Sequence, residues 1–427
     1  MLDTNFSPWP AFTEEEADAV RDVILSGRVN YWTGNECRQF ETEFAHATGC
    51  DHAVAVANGT VALELALRAL EIGPGDEVIV TPRSFIASAS CVIGMGATPV
   101  FADVDPDSQN ITARTISAVL SPRTRAIICV HLAGWPCDMD PIMALAEAHS
   151  IDIVEDCAQA HGAFYKGRPV GSLGHIAAWS FCQDKIMTTG GEGGMITTSD
   201  PILAARAWSF KDHGKSREAM ARPAAEGGFR WVHDGFGTNA RMLELQAVLG
   251  RIQLRRLPEW SARRRRNARR IWETAAQLPG LRVPAIPGDI VHAAYKCYVF
   301  VDAARLRPGW SRDRILAAIK SRGVPCYTGS CPEIYREAAF DGTGFRPAAR
   351  LSGAEQLGHS ALMFLVHPTL SDGEIEATCN VLQAVLREAA EPSAAEPEPA
   401  EPSAAEPEPA ANDGAMSAPA PLLRAIH

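Results

Sequence analysis

Short apolar runs rich in β-branched residues alternate with amphipathic helical patterns through the first two-thirds of this 427-residue chain. The run HAVAVAN (52–58) has the pattern of a strand, and TVALELALRALEI (60–72) has that of a helix. Similar strand patterns recur in DEVIVTP, PVFADVD, RAIICVHLAG and IDIVEDCA, with helical stretches between them, and IAAWSFC and GGMITTS complete the set. This alternation predicts an α/β fold with a mostly parallel sheet covered by helices on both faces.

The pattern changes near residue 240. A long helix, NARMLELQAVLGRIQLRRL, is predicted to be interrupted at Pro258 and to resume through WSARRRRNARRIWETAAQL. A smaller α+β unit follows, with YKCYVFVD as a strand and SDGEIEATCNVLQAVLREAA as the last helix. We therefore expect a large α/β domain over 1–255 and a small α+β domain over 256–390. Beyond them, EPSAAEPEPA occurs twice, which predicts a disordered tail over 391–427.

Charge and cysteine usage narrow the class of protein. The tail contributes −6 of the net charge of −11, so the folded part is near balance and gives no sign of a nucleic-acid partner. We expect the RRRR run at 263–266 to be a solvated helix face. The eleven cysteines form no CxxC pair, which predicts reduced thiols and no metal site. Without a signal pattern or an apolar stretch of about 18 residues, the chain is expected to be cytoplasmic, with no membrane span.

Two residues at the ends of predicted strands carry the most chemical information. Ligands of such sheets collect beyond the carboxyl ends of the strands, and Asp156 and Lys185 both lie at or near such ends. An amine there can condense with an aldehyde, and a carboxylate can keep a ring nitrogen protonated. Pyridoxal phosphate (PLP) chemistry needs both groups. Each residue also has an ordinary explanation, as a surface lysine with a buried stem or as an acid in a cap or salt bridge.

Two glycine- or hydroxyl-containing segments are candidates for binding a phosphate. Gly59 and Thr60 lie where a strand meets a helix, and free amides at a helix N-terminus bind anions. The alternative is an ordinary helix start with Thr60 as its N-cap. Ser180, five positions before Lys185, offers a hydroxyl. Asn239 is a further candidate hydrogen-bond donor to the phosphate, or alternatively the N-cap of the long helix.

Three further residues near these segments have open assignments. Phe85 either belongs to the core or lies over a flat ring. Gln159, three residues after Asp156, can face a second polar substituent of the same ring. His161 nearby is more typical of a structural histidine than of a catalytic base.

The ordered segments NGTVALELAL, TPRSFIASA, PVFADVD, VEDCAQAHGA, WSFCQDK, GGEGGM and GTNARMLELQAVLG resemble the DegT/DnrJ/EryC1/StrS aminotransferases over about residues 5–390. These are PLP enzymes of the aspartate-aminotransferase fold (fold type I), and most act on nucleotide-linked keto-sugars. The resemblance implies that Lys185 binds the cofactor covalently, Asp156 binds the pyridine nitrogen and Gln159 lies near the ring hydroxyl. It also implies that Phe85 stacks on the ring and that Gly59, Thr60 and Ser180 bind the phosphate.

The resemblance further implies a homodimer with shared active sites, because Asn239 is expected to reach the phosphate of the neighbouring subunit. One segment departs from the family. Many members carry an HYxPLH-like segment that contacts the sugar, whereas this chain has GVPCYTGSCPEIY. The family's histidine is therefore absent, and Ser330, Glu333 and Tyr335 are candidate replacements. Members that dehydrate sugars carry histidine in place of the lysine, so Lys185 favours transamination.

The expected function is PLP-dependent transamination of a 4-keto or 3-keto deoxysugar nucleotide by an amino-acid donor, L-glutamate by resemblance. The pathway expected is biosynthesis of amino sugars for surface polysaccharides or antibiotics. Three alternatives stay open: a cyclitol ketone as the acceptor, dehydration of a sugar, and a non-catalytic regulatory protein on the same fold. A Rossmann dehydrogenase is disfavoured, because no GxGxxG motif follows a strand.

Overall fold

The helices and strands of the computed structural model, which describes residues 6–223 and 229–390, follow the predicted alternation. The strands are β1 His52–Val56, β2 Glu77–Val80, β3 Thr98–Phe101, β4 Thr124–Val130, β5 Asp152–Asp156, β6 Phe164–Tyr165, β7 Arg168–Pro169, β8 Ile176–Ser180, β9 Gly194–Thr198, β10 Leu281–Arg282, β11 Ile290–Val291, β12 Cys297–Val301, β13 Cys326–Tyr327 and β14 Ala361–Phe364. The helices are α1 Glu14–Leu25, α2 Glu36–Thr48, α3 Gly59–Ala69, α4 Ala87–Gly94, α5 Ala113–Ser117, α6 Met139–His149, α7 Pro201–Lys211, α8 Arg217–Ala221, α9 Glu244–Ala275, α10 Arg312–Ser321, α11 Ser352–Ser360 and α12 Asp372–Ala389. The predicted tail over 391–427 lies outside the described residues.

Seven strands form the central sheet, in the order β1-β9-β8-β5-β4-β2-β3. The pairs β2–β3, β2–β4, β4–β5 and β5–β8 are parallel, and β9 runs antiparallel to both of its neighbours. The predicted α/β fold with a mostly parallel sheet is confirmed. The strands β2, β8 and β9 are buried along their whole length, as expected for a sheet covered on both faces. The carboxyl ends of β1, β2, β4, β5 and β8 therefore meet at one edge.

The long helix α9 is continuous, so the predicted interruption at Pro258 is wrong. A proline inside a helix removes one hydrogen bond and typically costs about 3 kcal/mol. Packing offsets that cost here, because Leu254, Leu257 and Trp260 all contact the main hydrophobic core. The arginine run on the same helix is also not wholly solvated. Arg264 is buried, since four consecutive helical residues cover every face of a helix and one of them must point inward.

The C-terminal part contains a second, antiparallel sheet in the order β10-β12-β14-β13. The helices α10 and α12 pack with it around a separate hydrophobic cluster drawn from residues 268–390. Residues of this part, among them Tyr295 and Tyr335, also join the main core. The predicted domain boundary at 255/256 falls inside α9 and stays a prediction.

The eleven cysteines are free thiols, and nine of them are buried, as their positions in apolar runs suggested. Over residues 6–223 and 229–390, no helix has both the length and the apolar character that crossing a membrane requires.

Candidate active site

Asp156 is the last residue of β5, and its side chain is only 5% exposed. Its Oδ2 accepts a hydrogen bond from Ser88 Oγ at 3.0 Å, and its Oδ1 accepts one from the backbone N–H of Ala158 at 3.1 Å. Burial raises the pKa of the Asp156 carboxyl, and these two hydrogen bonds with the charge of Lys185 oppose that effect only in part. The carboxylate is thus fixed in orientation, but no cation of the described chain pairs directly with it.

Lys185 lies in the loop after β8, at the same edge of the sheet. Its N–H donates to Cys182 O at 3.1 Å, and its carbonyl oxygen accepts from Trp9 Nε1 at 2.8 Å, so the backbone is held on both sides. The side chain is half-buried, and Nζ lies 5.2 Å from the centroid of the Tyr295 ring. Burial lowers the pKa of the Lys185 amine, while Asp184 and Asp156 oppose that shift. Among the described residues Nζ has no hydrogen-bond partner, so the amine is available for reaction.

The three candidate phosphate ligands of the large sheet converge where α3 begins. Asn58 is the N-cap of this helix, because its Oδ1 accepts from Val61 N at 3.0 Å. The alternative that Thr60 is the cap is therefore wrong, and Thr60 is the second helical residue. A Cβ added at Gly59 would lie 2.6 Å from Ser180 Cβ, so glycine is required for this close approach. Within the described chain the amides of Gly59 and Thr60 have no acceptor.

Gln159 follows β5 and Phe85 follows β2, so both lie near the carboxyl-end edge of the central sheet, but they differ in burial. Gln159 is buried, and its Oε1 accepts a hydrogen bond from the backbone N–H of Ala133 at 2.9 Å. Its Nε2 has no partner in the part of the chain that the structure describes. Phe85 follows β2, and 67% of its surface is exposed, so the alternative that it belongs to the core is wrong. A large exposed aromatic face and a buried amide at one edge of a sheet suit the binding of a flat polar ring.

Asn239 lies apart from the other candidates. It is exposed, and its backbone pairs with Asp212 before α9 begins. The N-cap of α9 is Leu243, so the alternative that Asn239 caps this helix is wrong. No hydrogen bond joins its side chain to the other candidate residues within residues 6–223 and 229–390. Its role at the phosphate stays a prediction.

We term residues 326–335 the acceptor segment. Its three candidate replacements for the family's histidine, Ser330, Glu333 and Tyr335, differ in their hydrogen-bond partners. Glu333 is 4% exposed, forms a salt bridge with Arg350, and accepts a hydrogen bond from Tyr335 Oη. Tyr335 Oη also accepts from Leu351 N at 3.2 Å. Both side chains are thus engaged in holding the fold of this segment. Ser330 donates its backbone N–H to Tyr298 Oη at 2.8 Å and is the one candidate of the three not tied to this network.

Sequence reasoning missed several groups that position the site. Ser88 was not singled out, although Ser84 and Ser88 are spaced by one helical turn directly after a strand, and their hydroxyls lie 3.0 Å apart. That spacing could have indicated a hydroxyl pair at the sheet edge. The backbone N–H of Ala133 and the ring of Tyr295 come from distant parts of the chain, and no local pattern points to them.

The donor set fits PLP. Within the described chain, the buried carboxylate of Asp156 has no direct cationic partner and suits a pyridinium nitrogen, and the amine of Lys185 has no hydrogen-bond partner and suits an aldehyde. The amides of Gly59 and Thr60, next to Ser180, suit a phosphate. The fold and this site together define a PLP-dependent enzyme of the aspartate-aminotransferase fold.

Comparison with known proteins agrees with this class. Residues 10–383 match the DegT/DnrJ/EryC1/StrS aminotransferase family, and the chain belongs to it. An aminotransferase structure from Psychrobacter cryohalolentis is 58% identical, covers 90% of this chain and 99% of its own, and superposes with a TM-score of 0.88. The dTDP-3-amino-3,4,6-trideoxy-alpha-D-glucose transaminase of Streptomyces venezuelae is 37% identical over 87% of this chain and 91% of its own. The UDP-N-acetyl-3-dehydro-alpha-D-glucosamine 3-aminotransferase of Acidithiobacillus ferrooxidans is 36% identical over 86% and 95%.

The chain is therefore a PLP-dependent aminotransferase. The family resemblance, the fold and the cofactor predicted from the sequence are confirmed. The alternative of a non-catalytic regulatory protein is not supported by these findings.

Proposed function

We propose that this enzyme transfers an amino group from an amino acid to the ketone of a nucleotide-linked sugar. The observation that carries the proposal is the amine of Lys185, which has no hydrogen-bond partner among the described residues and lies near buried Asp156. The chain is also similar along most of its length to nucleotide-sugar aminotransferases. The names of both relatives give position 3 of the sugar as the one that carries the amino group. A ketone at carbon 3 is therefore the first acceptor to test, with L-glutamate as the donor that the family resemblance implies.

Lys185 and Asp156 have the central roles in this proposal. When bound, PLP supplies an electron sink that stabilises negative charge on the substrate carbon. Lys185 would take the proton from the α-carbon of the donor as a general base and return it, as a general acid, to the cofactor carbon that carries the aldehyde. Asp156 keeps the ring nitrogen protonated through its negative charge, and Ser88 and Ala158 hold its carboxylate in place. Amination of the acceptor uses the same proton transfers in reverse.

The remaining candidates bind and orient the cofactor. The amides of Gly59 and Thr60 and the hydroxyl of Ser180 bind the phosphate at the N-terminus of α3, where the helix dipole favours negative charge. Phe85 covers one face of the ring and excludes water from it. Gln159 donates from Nε2 to the ring hydroxyl, because its Oε1 is already engaged by a backbone N–H.

A homodimer completes each site in this proposal, with Asn239 reaching the phosphate of the partner subunit. The described part of the segment before α9 is unusually apolar at its surface. Phe236 is fully exposed, and Phe229 and Trp231 are more than three-quarters exposed. Exposed aromatic side chains close together in a chain are typical of a protein–protein contact.

A complementation experiment tests this shared site. Lys185→Ala and Asn239→Ala variants are each expected to be inactive or impaired alone. They are co-expressed with different affinity tags so that hybrid dimers can be purified. If Asn239 serves the partner, one of the two hybrid sites has both native residues, and activity returns to up to half of the wild-type value per dimer. No recovery in a confirmed hybrid would show that both residues act within one subunit.

The proposed reaction is tested by incubating the PLP-loaded enzyme with L-glutamate and a panel of keto-sugar nucleotides and analysing the products by mass spectrometry. We expect an amino-sugar nucleotide with at least one 3-keto acceptor, and parallel lines in double-reciprocal plots, because the donor and the acceptor react in separate steps. Lys185→Ala is expected to give no product. Lys166→Ala, which removes an exposed lysine paired with Asp140, is the matched control and is expected to retain activity.

The panel also contains cyclitol ketones, and ammonia release is measured in parallel. Amine formation only from a cyclitol ketone, or ammonia release without an amine product, would replace the sugar transaminase proposal with one of its alternatives. Intersecting double-reciprocal lines would contradict the two-step exchange.

A further inference from the structure

Tyr295 joins three parts of the active site that are far apart in the sequence. It lies just before β12 and is 6% exposed. Its backbone N–H donates to Ala133 O at 3.0 Å, and its hydroxyl donates to Asp184 Oδ2 at 2.6 Å. Its ring centroid lies 5.2 Å from Lys185 Nζ. One side chain therefore contacts the reactive amine and its neighbouring carboxylate, while its backbone is anchored elsewhere.

The anchor of Tyr295 is itself part of the candidate cofactor site. Ala133 adopts a left-handed conformation with φ 57°, which is uncommon for a residue other than glycine. Its N–H donates to Gln159 Oε1 at 2.9 Å and its carbonyl oxygen accepts from Tyr295 N. A second bond, from Ala293 N to Gly134 O at 2.8 Å, ties down the same segment. The position of Tyr295 relative to Lys185 is thus set by the loop that Gln159 holds.

We propose that Tyr295 is a positioning residue for Lys185: its hydroxyl holds the Asp184 carboxylate beside the lysine, and its ring forms a wall of the space in which the amine moves. This inference rests on the proposed role of Lys185 as the proton-transfer group. A lysine that alternates between base and acid must not be driven wholly to its neutral form by burial. An anion fixed beside it opposes that tendency.

The charges around Lys185 agree with this role. The groups that act on its amine are Asp184, Asp156, Lys296 and Cys182, and among these Asp184 opposes the effect of burial most strongly. Asp184 is exposed at the surface, and although partial desolvation acts to raise the pKa of its carboxyl, Lys185, Tyr295 and Lys296 outweigh that effect, so that this pKa lies below its ordinary value. Asp184 is therefore an anion at neutral pH, and the Tyr295 hydroxyl fixes where its charge lies.

The structure distinguishes positioning from simple packing. A packing role needs only the ring and the backbone of Tyr295, and both survive in Tyr295→Phe. Only the hydrogen bond to Asp184 is lost in that variant. Because Tyr295 acts through Asp184, the effect of Tyr295→Phe must disappear when Asp184 is already replaced. Tyr165→Phe is the matched control, because Tyr165 is a buried tyrosine whose hydroxyl also donates to an aspartate, Asp138 Oδ1, at 2.6 Å.

The first readout is the reactivity of the amine itself. The chain has six lysines, so trace labelling of the cofactor-free, full-length protein with isotopic acetic anhydride can be quantified at each lysine by peptide mass spectrometry. The pH midpoint of Lys185 labelling is expected to move to lower pH in Asp184→Asn and, by less, in Tyr295→Phe. The double variant is expected to match Asp184→Asn. Exposed Lys320 provides the internal standard, because its midpoint should not move.

The second readout is the rate of the donor half-reaction in the PLP-loaded enzyme, followed by absorbance after mixing with L-glutamate. We expect a loss of about tenfold in Asp184→Asn and about threefold in Tyr295→Phe, with no further loss in the double variant. Unchanged labelling midpoints in both single variants, or effects that add in the double variant, would overturn the proposal. The labelling experiment uses no sugar and no donor, so its result is independent of whether the proposed substrate is correct.

Discussion

Asp156 and Glu333 are equally buried carboxylates with opposite electrostatics. Asp156, at the edge of the seven-stranded sheet, accepts hydrogen bonds from a hydroxyl and an amide, and burial raises its pKa. Burial also acts to raise the pKa of Glu333, in the acceptor segment, but hydrogen bonds from Arg350 and Tyr335 outweigh it and lower that pKa. Glu333 is compensated by a direct ion pair with Arg350, whereas Asp156 has no direct cationic partner in the described chain and is in this sense uncompensated. A buried acid without a direct cationic partner is therefore a better marker of a binding site than burial alone.

The largest expected effect follows from removing the uncompensated charge. Asp156→Asn keeps the size of the side chain and a hydrogen-bond acceptor, but it cannot keep a ring nitrogen protonated. We expect the donor half-reaction to slow by about 10²–10³-fold at saturating PLP, measured as a single turnover by absorbance. A rate within a few-fold of wild type, with the cofactor fully bound, would show that Asp156 does not contact the ring nitrogen.

Removing the compensated charge is expected to affect stability and not the donor half-reaction. Glu333→Gln removes the ion pair between Arg350 and Glu333, leaves Arg350 only its pair with Glu355, and weakens the bond to Tyr335. Because Arg350 is more than one-third exposed, solvent screens the pair, and we expect a loss of about 1–2 kcal/mol in the free energy of unfolding. Denaturant titration measures it. A slowed donor half-reaction with unchanged stability would assign Glu333 to the chemistry after all.

The pH dependence of unfolding should separate the two acids by sign. The folded-state pKa of Glu333 is lowered, so its stabilisation is complete above its unfolded pKa of about 4.3 and is lost as the pH falls through the folded value. The folded-state pKa of Asp156 is raised, so its ionisation weakens the fold as the pH rises. In the cofactor-free protein at neutral pH, Glu333→Gln should therefore destabilise the fold and Asp156→Asn should stabilise it slightly. Equal signs in thermal unfolding at pH 7 would contradict this contrast.

The sequence predicted the fold and the chemistry at the sheet edge because both depend on local patterns. Strand periodicity located β1, β5 and β8, and parallel strands bring their carboxyl ends together. Asp156 and Lys185 could therefore be paired without knowledge of the structure. The N-cap of α3 does not follow from the sequence, because Asn58 and Thr60 are both good capping residues and only the backbone geometry decides between them.

The acceptor segment could not be predicted in the same way. Glutamate and tyrosine side chains often bind sugars, which made Glu333 and Tyr335 candidates. The local sequence gives no sign that the Glu333 carboxylate already pairs with Arg350, seventeen residues away. Tyr295 is a similar case, since its partners Ala133 and Asp184 come from two other loops. Contacts between distant loops depend on the packing of the whole fold, and local periodicity does not encode them. The continuation of α9 across Pro258 has the same cause.

The smallest expected effect concerns the hydroxyl that supports Asp156. Ser88→Ala removes the hydrogen bond to Asp156 Oδ2 and leaves that to Oδ1 intact. The charged form of the Asp156 carboxyl is then less stabilised, so its pKa rises further. A lost hydrogen bond of about 1 kcal/mol predicts roughly a five-fold weaker affinity for PLP, measured by fluorescence titration of the cofactor-free protein. Ser90→Ala, at an exposed serine of the same helix, is the matched control. An effect as large as that of Asp156→Asn would mean that Ser88 itself contacts the cofactor. No effect would mean that the Ala158 amide suffices to hold the carboxylate.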